Sequence, residues 1–146
     1  MLKVIATAPI RLVGSGISHA LELRWADVDF ANRKITFRTR LGLQVCPMFI
    51  EVVPYLRELG VKAPMEKVFP SIPEEPRRVS SLISSMVKKS GVTPWTPLIA
   101  SIRSTRYLEL LQAFPEPLVR SWMGHANTMA TDQEWEQAVT EPTVLI

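Results

Sequence analysis

The chain has one cysteine, two histidines, and no lysine or arginine after Arg120. Cys46 alone cannot form an internal disulfide or a cysteine metal cluster, which fits a reducing, cytoplasmic setting. No apolar run approaches the roughly 18 residues of a membrane span, because Lys3 and Arg11 interrupt the apolar start. The same start lacks an unbroken apolar stretch followed by a small-residue cleavage site, which argues against a secretory signal. There is no internal repeat and no low-complexity tract. His19 and His125 are too far apart in sequence to suggest a metal pair, and no catalytic triad is visible near His125. No metal and no cofactor are expected.

What is present suits one globular domain spanning residues 1–146. Apolar residues make up 47% and charged ones 21%, an ordinary soluble composition. A chain of this length can bury roughly two thirds of its unfolded surface in one core. The net charge of +3 hides an asymmetry, since four of the 14 acids (Asp132, Glu134, Glu136 and Glu141) follow the last basic residue. The first 120 residues therefore carry 17 basic against 10 acidic groups, a net of +7. A basic body with an acidic tail suggests polyanion binding, or else a well-solvated surface.

Along the chain, "HALELRW" has helical spacing and follows the turn "GSG". "RKITFRTR" and "LQVCPMFI" are strand-like runs joined around Leu41-Gly42, which predicts a hairpin. "FIEVVPYLREL" returns to helical spacing, with Pro54 tolerable in a first turn. The proline-dense "APMEKVFPSIPEEPRR" reads as an exposed connection. "VSSLISSMVKKSG" predicts a helix ending at Gly91, and "TPLIASIRSTRYLELLQAF" another, with Thr96 as cap and Pro97 at the first position. "PEPLVRSWMGH" gives a short helix stopped by Gly124. The expected fold class is α+β, mainly helical, with one small hairpin or sheet.

Three features could carry chemistry. Arg103 lies in line with Tyr107, Leu110 and Phe114, so a charge belongs to an apolar stripe. It must either pair or snorkel to water. Arg33, Lys34, Arg38 and Arg40 form a basic hairpin that could track phosphates or merely charge an exposed edge. "VGSGIS" could offer N–H groups to a phosphate, but lacks the Lys and Ser/Thr spacing of a nucleotide loop and also suits a plain turn. Asp27 and Asp29 suit a turn.

These pieces occur in a familiar order. "HALELRWADVDF", a basic hairpin ending "CPMF", then "SIRSTRYLELL" and "SWMGHANTMATDQE" together resemble the catalytic domain of the tyrosine recombinases, the phage-integrase family. The resemblance covers about residues 12–135, and "VKKSGVTPW" to "SWMGH" looks most like integrase-like proteins of planctomycetes. In that family two arginines clamp the scissile phosphate, a hairpin lysine protonates the leaving oxygen, histidines assist, and a tyrosine forms a covalent 3′-phosphotyrosine. The chemistry needs fixed positive donors around a dianionic transition state and a nucleophile in line.

Carried over residue by residue, the resemblance implies a depleted site. Arg103 matches the second arginine and His125 the histidine after glycine. The first arginine aligns with Gly16, the glutamate three residues later with His19, and the lysine near Thr39, between Arg38 and Arg40. The histidine before the second arginine is Ala100, and the nucleophile falls on Glu134, beside Trp135. Tyr55 and Tyr107 are the only phenols. His125 is either a retained phosphate-site residue or a helix C-terminal cap.

The resemblance thus implies a protein that binds duplex DNA mainly through phosphates, with Arg38, Arg40, Arg103 and Arg106 as contacts, and that does not cut it. The separate N-terminal DNA-binding domain usual in the family is not expected. The alternative is a regulatory protein whose acidic C-terminal segment docks on a partner recombinase or on a second copy. No membrane association is expected.

Overall fold

The computed structural model describes residues 17–70, 75–125 and 129–142. Gly16, the turn it belongs to and the final "TVLI" lie outside the described residues. The first helix, α1, covers Ile17–Leu21. It is shorter than the spacing of "HALELRW" predicts, because the backbone beyond it is claimed by a distant segment. Arg24 forms an antiparallel bridge with Lys67, the Trp25 N–H donates to Glu66 at 3.1 Å, and the Val68 N–H donates to Leu23 at 3.0 Å. Groups bonded across the chain cannot extend a helix. Trp25–Asp27 instead make one tight 3₁₀ turn.

A three-stranded antiparallel sheet follows: β1 (Val28–Asp29), β2 (Lys34–Thr39) and β3 (Gly42–Pro47), in that spatial order. The β2–β3 register pairs Thr39 with Gly42 and Ile35 with Cys46, so the hairpin turn is Arg40-Leu41. Gly42 has φ +115°, a conformation glycine adopts without strain. Alternation sends Ile35 and Phe37 into the core and Arg38 outward, as a strand with one covered face requires. Burying each of those two apolar side chains contributes about 1.5–3 kcal/mol. The second strand ends at Pro47, before the expected Ile50, because Ile50–Val52 turn into a 3₁₀ step.

That step leads into α2 (Val53–Glu58), with Pro54 in its first turn as expected. Next come α3 (Pro76–Lys89), α4 (Leu98–Ala113) and α5 (Glu116–Trp122). The cap of α4 differs from expectation: Pro97 itself is the N-cap residue and no side chain caps it. A sixth helix, α6 (Asp132–Thr140), occupies the acidic segment. Its Ala138 and Val139 are buried, and Glu136 pairs with Arg33 at 3.6 Å, so it packs on its own chain.

The core lies between the inner face of the sheet and α4–α5. Trp122 stands edge-on between Phe49 and Phe114, with ring centroids 5.6 and 5.0 Å away. The mainly helical α+β class expected from the sequence is the one observed. Among the described residues no helix is long and apolar enough to cross a membrane.

Candidate functional site

Among the described residues, the sheet and the helices border a concavity of about 840 Å³. His19 comes to it from α1, Arg38 and Arg40 from the hairpin, Arg103 from α4, and His125 from the end of α5. Four of the residues singled out in the sequence are thus brought to one surface, with His19 added. Glu22 is the one acidic residue on the lining among the described residues.

His125 is held by its backbone. Its N–H donates to the Arg120 carbonyl at 2.7 Å, and the Gly124 N–H donates to Ser121 at 3.0 Å. With Gly124 at φ +81°, this is a Schellman closure of α5. The main chain therefore satisfies the helix end and leaves the imidazole to face the concavity. Partial burial of the ring, and then the charges of Arg103 and Arg120, hold its pKa below the ordinary value. Most of the population is neutral at pH 7, and the ring is able both to donate and to accept a hydrogen bond.

Arg103 is half-buried and donates from Nη2 to the Met123 carbonyl at 3.2 Å. Burial lowers its pKa, yet a guanidinium stays charged at any ordinary pH. The bond ties α4 to the last turn of α5, one residue from Gly124. Behind Arg103 a smaller cavity of about 260 Å³ is bounded by Ala100, Ser104, Tyr107, Met123 and His125. Ala100 is thus in place beside Arg103, and its methyl group offers no polar atom.

The hairpin is fixed relative to His125 by two residues that the sequence did not mark as part of the site. The Gln44 amide donates to the Trp122 carbonyl, and the Cys46 thiol donates to the same oxygen at 3.3 Å. A Cβ on Gly124 would sit 2.7 Å from Gln44 Oε1, the movable end of a flexible side chain, so it is the φ of +81° that favours glycine there. On the outer face Arg38 Nη2 bonds Asp27 Oδ1 at 3.0 Å, while Asp27 Oδ2 accepts the Arg24 N–H at 3.1 Å. Asp27 therefore orients Arg38 from the tight turn before β1. Gln44 carried no motif signal, because its role depends on a carbonyl 78 residues away.

Arg106, expected as a DNA contact, and Glu134, expected as the lost nucleophile position, do not line the concavity. Arg106 is in the core, 3% exposed. Its Nη1 lies 3.0 Å from Glu109 Oε2 and 3.7 Å from Glu51 Oε1, and its guanidinium lies 4.7 Å from the Phe49 ring centroid. A buried, paired guanidinium cannot reach a phosphate outside, so Arg106 is a structural residue. Glu134 caps α6: its carboxylate accepts from the Thr131 N–H and hydroxyl, each at 2.9 Å, and its N–H donates to Thr131 Oγ1 at 3.2 Å. Gly16 lies outside the described residues.

Neither phenol is placed as a free nucleophile. Tyr55 is partly exposed on α2 and lines neither cavity. Tyr107 borders the smaller cavity, but its hydroxyl donates to Glu116 Oε1 at 3.1 Å. Burial and the Glu116 hydrogen bond and charge raise its pKa. Among the described residues no group of three or more His, Cys, Asp or Glu side chains could hold a metal ion.

No family model and no curated protein matches the sequence. Solved structures do match the fold. The chain superposes on XerA recombinase with a TM-score of 0.68 over 93% of its length, at 17% identity. It also superposes on the Tn1549 transposon integrase, solved with circular intermediate DNA, with a TM-score of 0.58 over 90% of its length, at 20% identity. The fold is that of the recombinase catalytic domain. The chain spans 59% and 55% of those two chains.

Proposed function

We propose that this chain is a tyrosine-recombinase-like domain, of the integrase-like kind its 87–125 stretch resembles, that binds duplex DNA and does not cleave it. The observation that carries the reading is the meeting of Arg103 and His125 in one basic concavity with Arg38 and Arg40. Three guanidinium groups and an imidazole on one surface suit the phosphates of a duplex, which supply most of the affinity of non-specific binding. The shared fold with an integrase solved on DNA supports the same partner. Catalysis is absent in this reading, because the resemblance aligns the nucleophile with Glu134, a capping carboxylate, and the first arginine with Gly16.

Titration of a labelled duplex at several salt concentrations tests the proposal. Log affinity falls linearly with log salt, and each phosphate that the protein neutralises steepens the slope by about 0.9. Arg38→Ala with Arg40→Ala flattens the slope by the equivalent of about two phosphates, and Arg103→Ala by about one. A salt-independent interaction, or none at low salt, rejects DNA as the partner.

A further inference from the structure

The turn of the β2–β3 hairpin carries apolar side chains where a solvated turn has no use for them. Leu41 is 93% exposed and Leu43 73% exposed, and Val45 continues the row along the outward side of β3. The tip is nonetheless well held. Thr39 Oγ1 donates to the Gly42 carbonyl at 2.9 Å and accepts the Leu41 N–H at 3.2 Å. The inward side of the hairpin is committed to α5 through Gln44 and Cys46, so the leucines stay outside. Leu41 also lines the large concavity, beside Arg40 and together with Arg38, Arg103 and His125.

An exposed apolar patch rimmed by charge marks an interaction site. The rim here is cationic, which calls for a polyanion that has an apolar interior. Duplex DNA answers to both, with phosphates outside and stacked bases within. Proteins that enter the minor groove insert Leu, Ile or Phe between base pairs while flanking cations neutralise the phosphates on either side.

We propose that Leu41, backed by Leu43, is an apolar wedge that enters bound duplex DNA from the minor groove and unstacks one base step. The inference rests on the DNA-binding reading above and adds a deformation to it. Arg38 and Arg40 hold the backbone beside the wedge, and the concavity receives the phosphate next to the opened step.

The test uses the full chain and short duplexes in which single adenines are replaced by 2-aminopurine, whose fluorescence rises when it unstacks. Binding of the unaltered protein raises the fluorescence several-fold at one step or a few adjacent steps. Leu41→Ala abolishes that rise yet keeps the salt slope, and binding weakens by no more than about tenfold because unstacking offsets much of what burial of the leucine returns. Leu41→Lys binds at least as tightly as Leu41→Ala and also gives no rise. Leu41 is exposed, and circular dichroism checks that both variants are folded. Tight, salt-dependent binding with no fluorescence change at any step overturns the wedge and leaves the DNA-binding reading standing. Absence of binding at low salt overturns both. A dimer by sedimentation that Leu41→Lys dissociates, with unchanged fluorescence on DNA, assigns the patch to self-association and likewise overturns the wedge.

Discussion

Arg103 and Arg106 stand three positions apart on the same helix, and their surroundings give them opposite roles. Arg103 reaches a helix-end carbonyl at the edge of a concavity. Arg106 is sealed under Phe49 beside Glu109, which is itself only 2% exposed. The buried pair makes a stability prediction. Removing one member of a buried ion pair costs about 3–5 kcal/mol, whereas replacing both by apolar groups of similar volume is often near neutral. Arg106→Ala should therefore lower the urea midpoint strongly, while Arg106→Met combined with Glu109→Leu should recover part of that stability, since Glu51, which also faces Arg106, stays in place. Neither change should flatten the salt dependence of DNA binding beyond what partial unfolding explains. A flattened slope in the stable double variant would return Arg106 to the proposed DNA-binding surface. The sequence marked Arg103 as anomalous through its stripe with Leu110 and Phe114. It could not separate the role of Arg106, because the deciding neighbour, Phe49, comes from another element.

At the level of elements, local chemistry decided which segments could be recognised. The hairpin, the Pro54 turn, the end of α3 near Gly91 and the Gly124 stop each carry their signal within a few residues. "HALELRW" failed as one helix because residues 23–26 bond to residues 64–68, a pairing that no local pattern announces. Helix α6 is the opposite case. Its Thr131–Glu134 pair is a reciprocal capping box, the sequence signature of a helix start, within a segment otherwise marked by its acidic charge. Thr131→Ala should remove about 1 kcal/mol of stability, and hydrogen exchange of the amides in the first turn of α6 should rise before those of α4. Equal protection in the variant and the parent would show that packing of Ala138 and Val139 alone holds the helix. Ala138 and Val139 seat α6 on its own chain, while the Glu136–Arg33 pair is exposed and contributes little.

For the molecule as a whole, the proposed reading joins a phosphate-binding surface to a site without the means of strand cleavage, and each part of it can be tested. Glu134, which the family resemblance aligns with the nucleophile, is a carboxylate occupied as the cap of α6. Gly16 supplies no guanidinium, and losing one preorganised donor typically costs on the order of 10²–10³ in rate. Tyr107 is the phenol nearest the site, since it borders the same small cavity as Arg103 and His125. Its hydroxyl is spent on Glu116, and its raised pKa keeps it protonated near pH 7. A nicked substrate that traps a phosphotyrosine should consequently yield no covalent adduct with the unmodified protein. Glu134→Tyr alone should also yield none, because it restores the phenol, leaves Gly16 unchanged and removes the carboxylate that caps α6. Glu116→Gln is the sharper control. It takes the negative charge from beside Tyr107 and should lower the phenol's pKa, yet it brings no guanidinium to the Gly16 position, so adduct should remain undetectable. An adduct mapped by peptide mass to Tyr107, and enhanced by Glu116→Gln, would show that the small cavity behind Arg103 is a working active site.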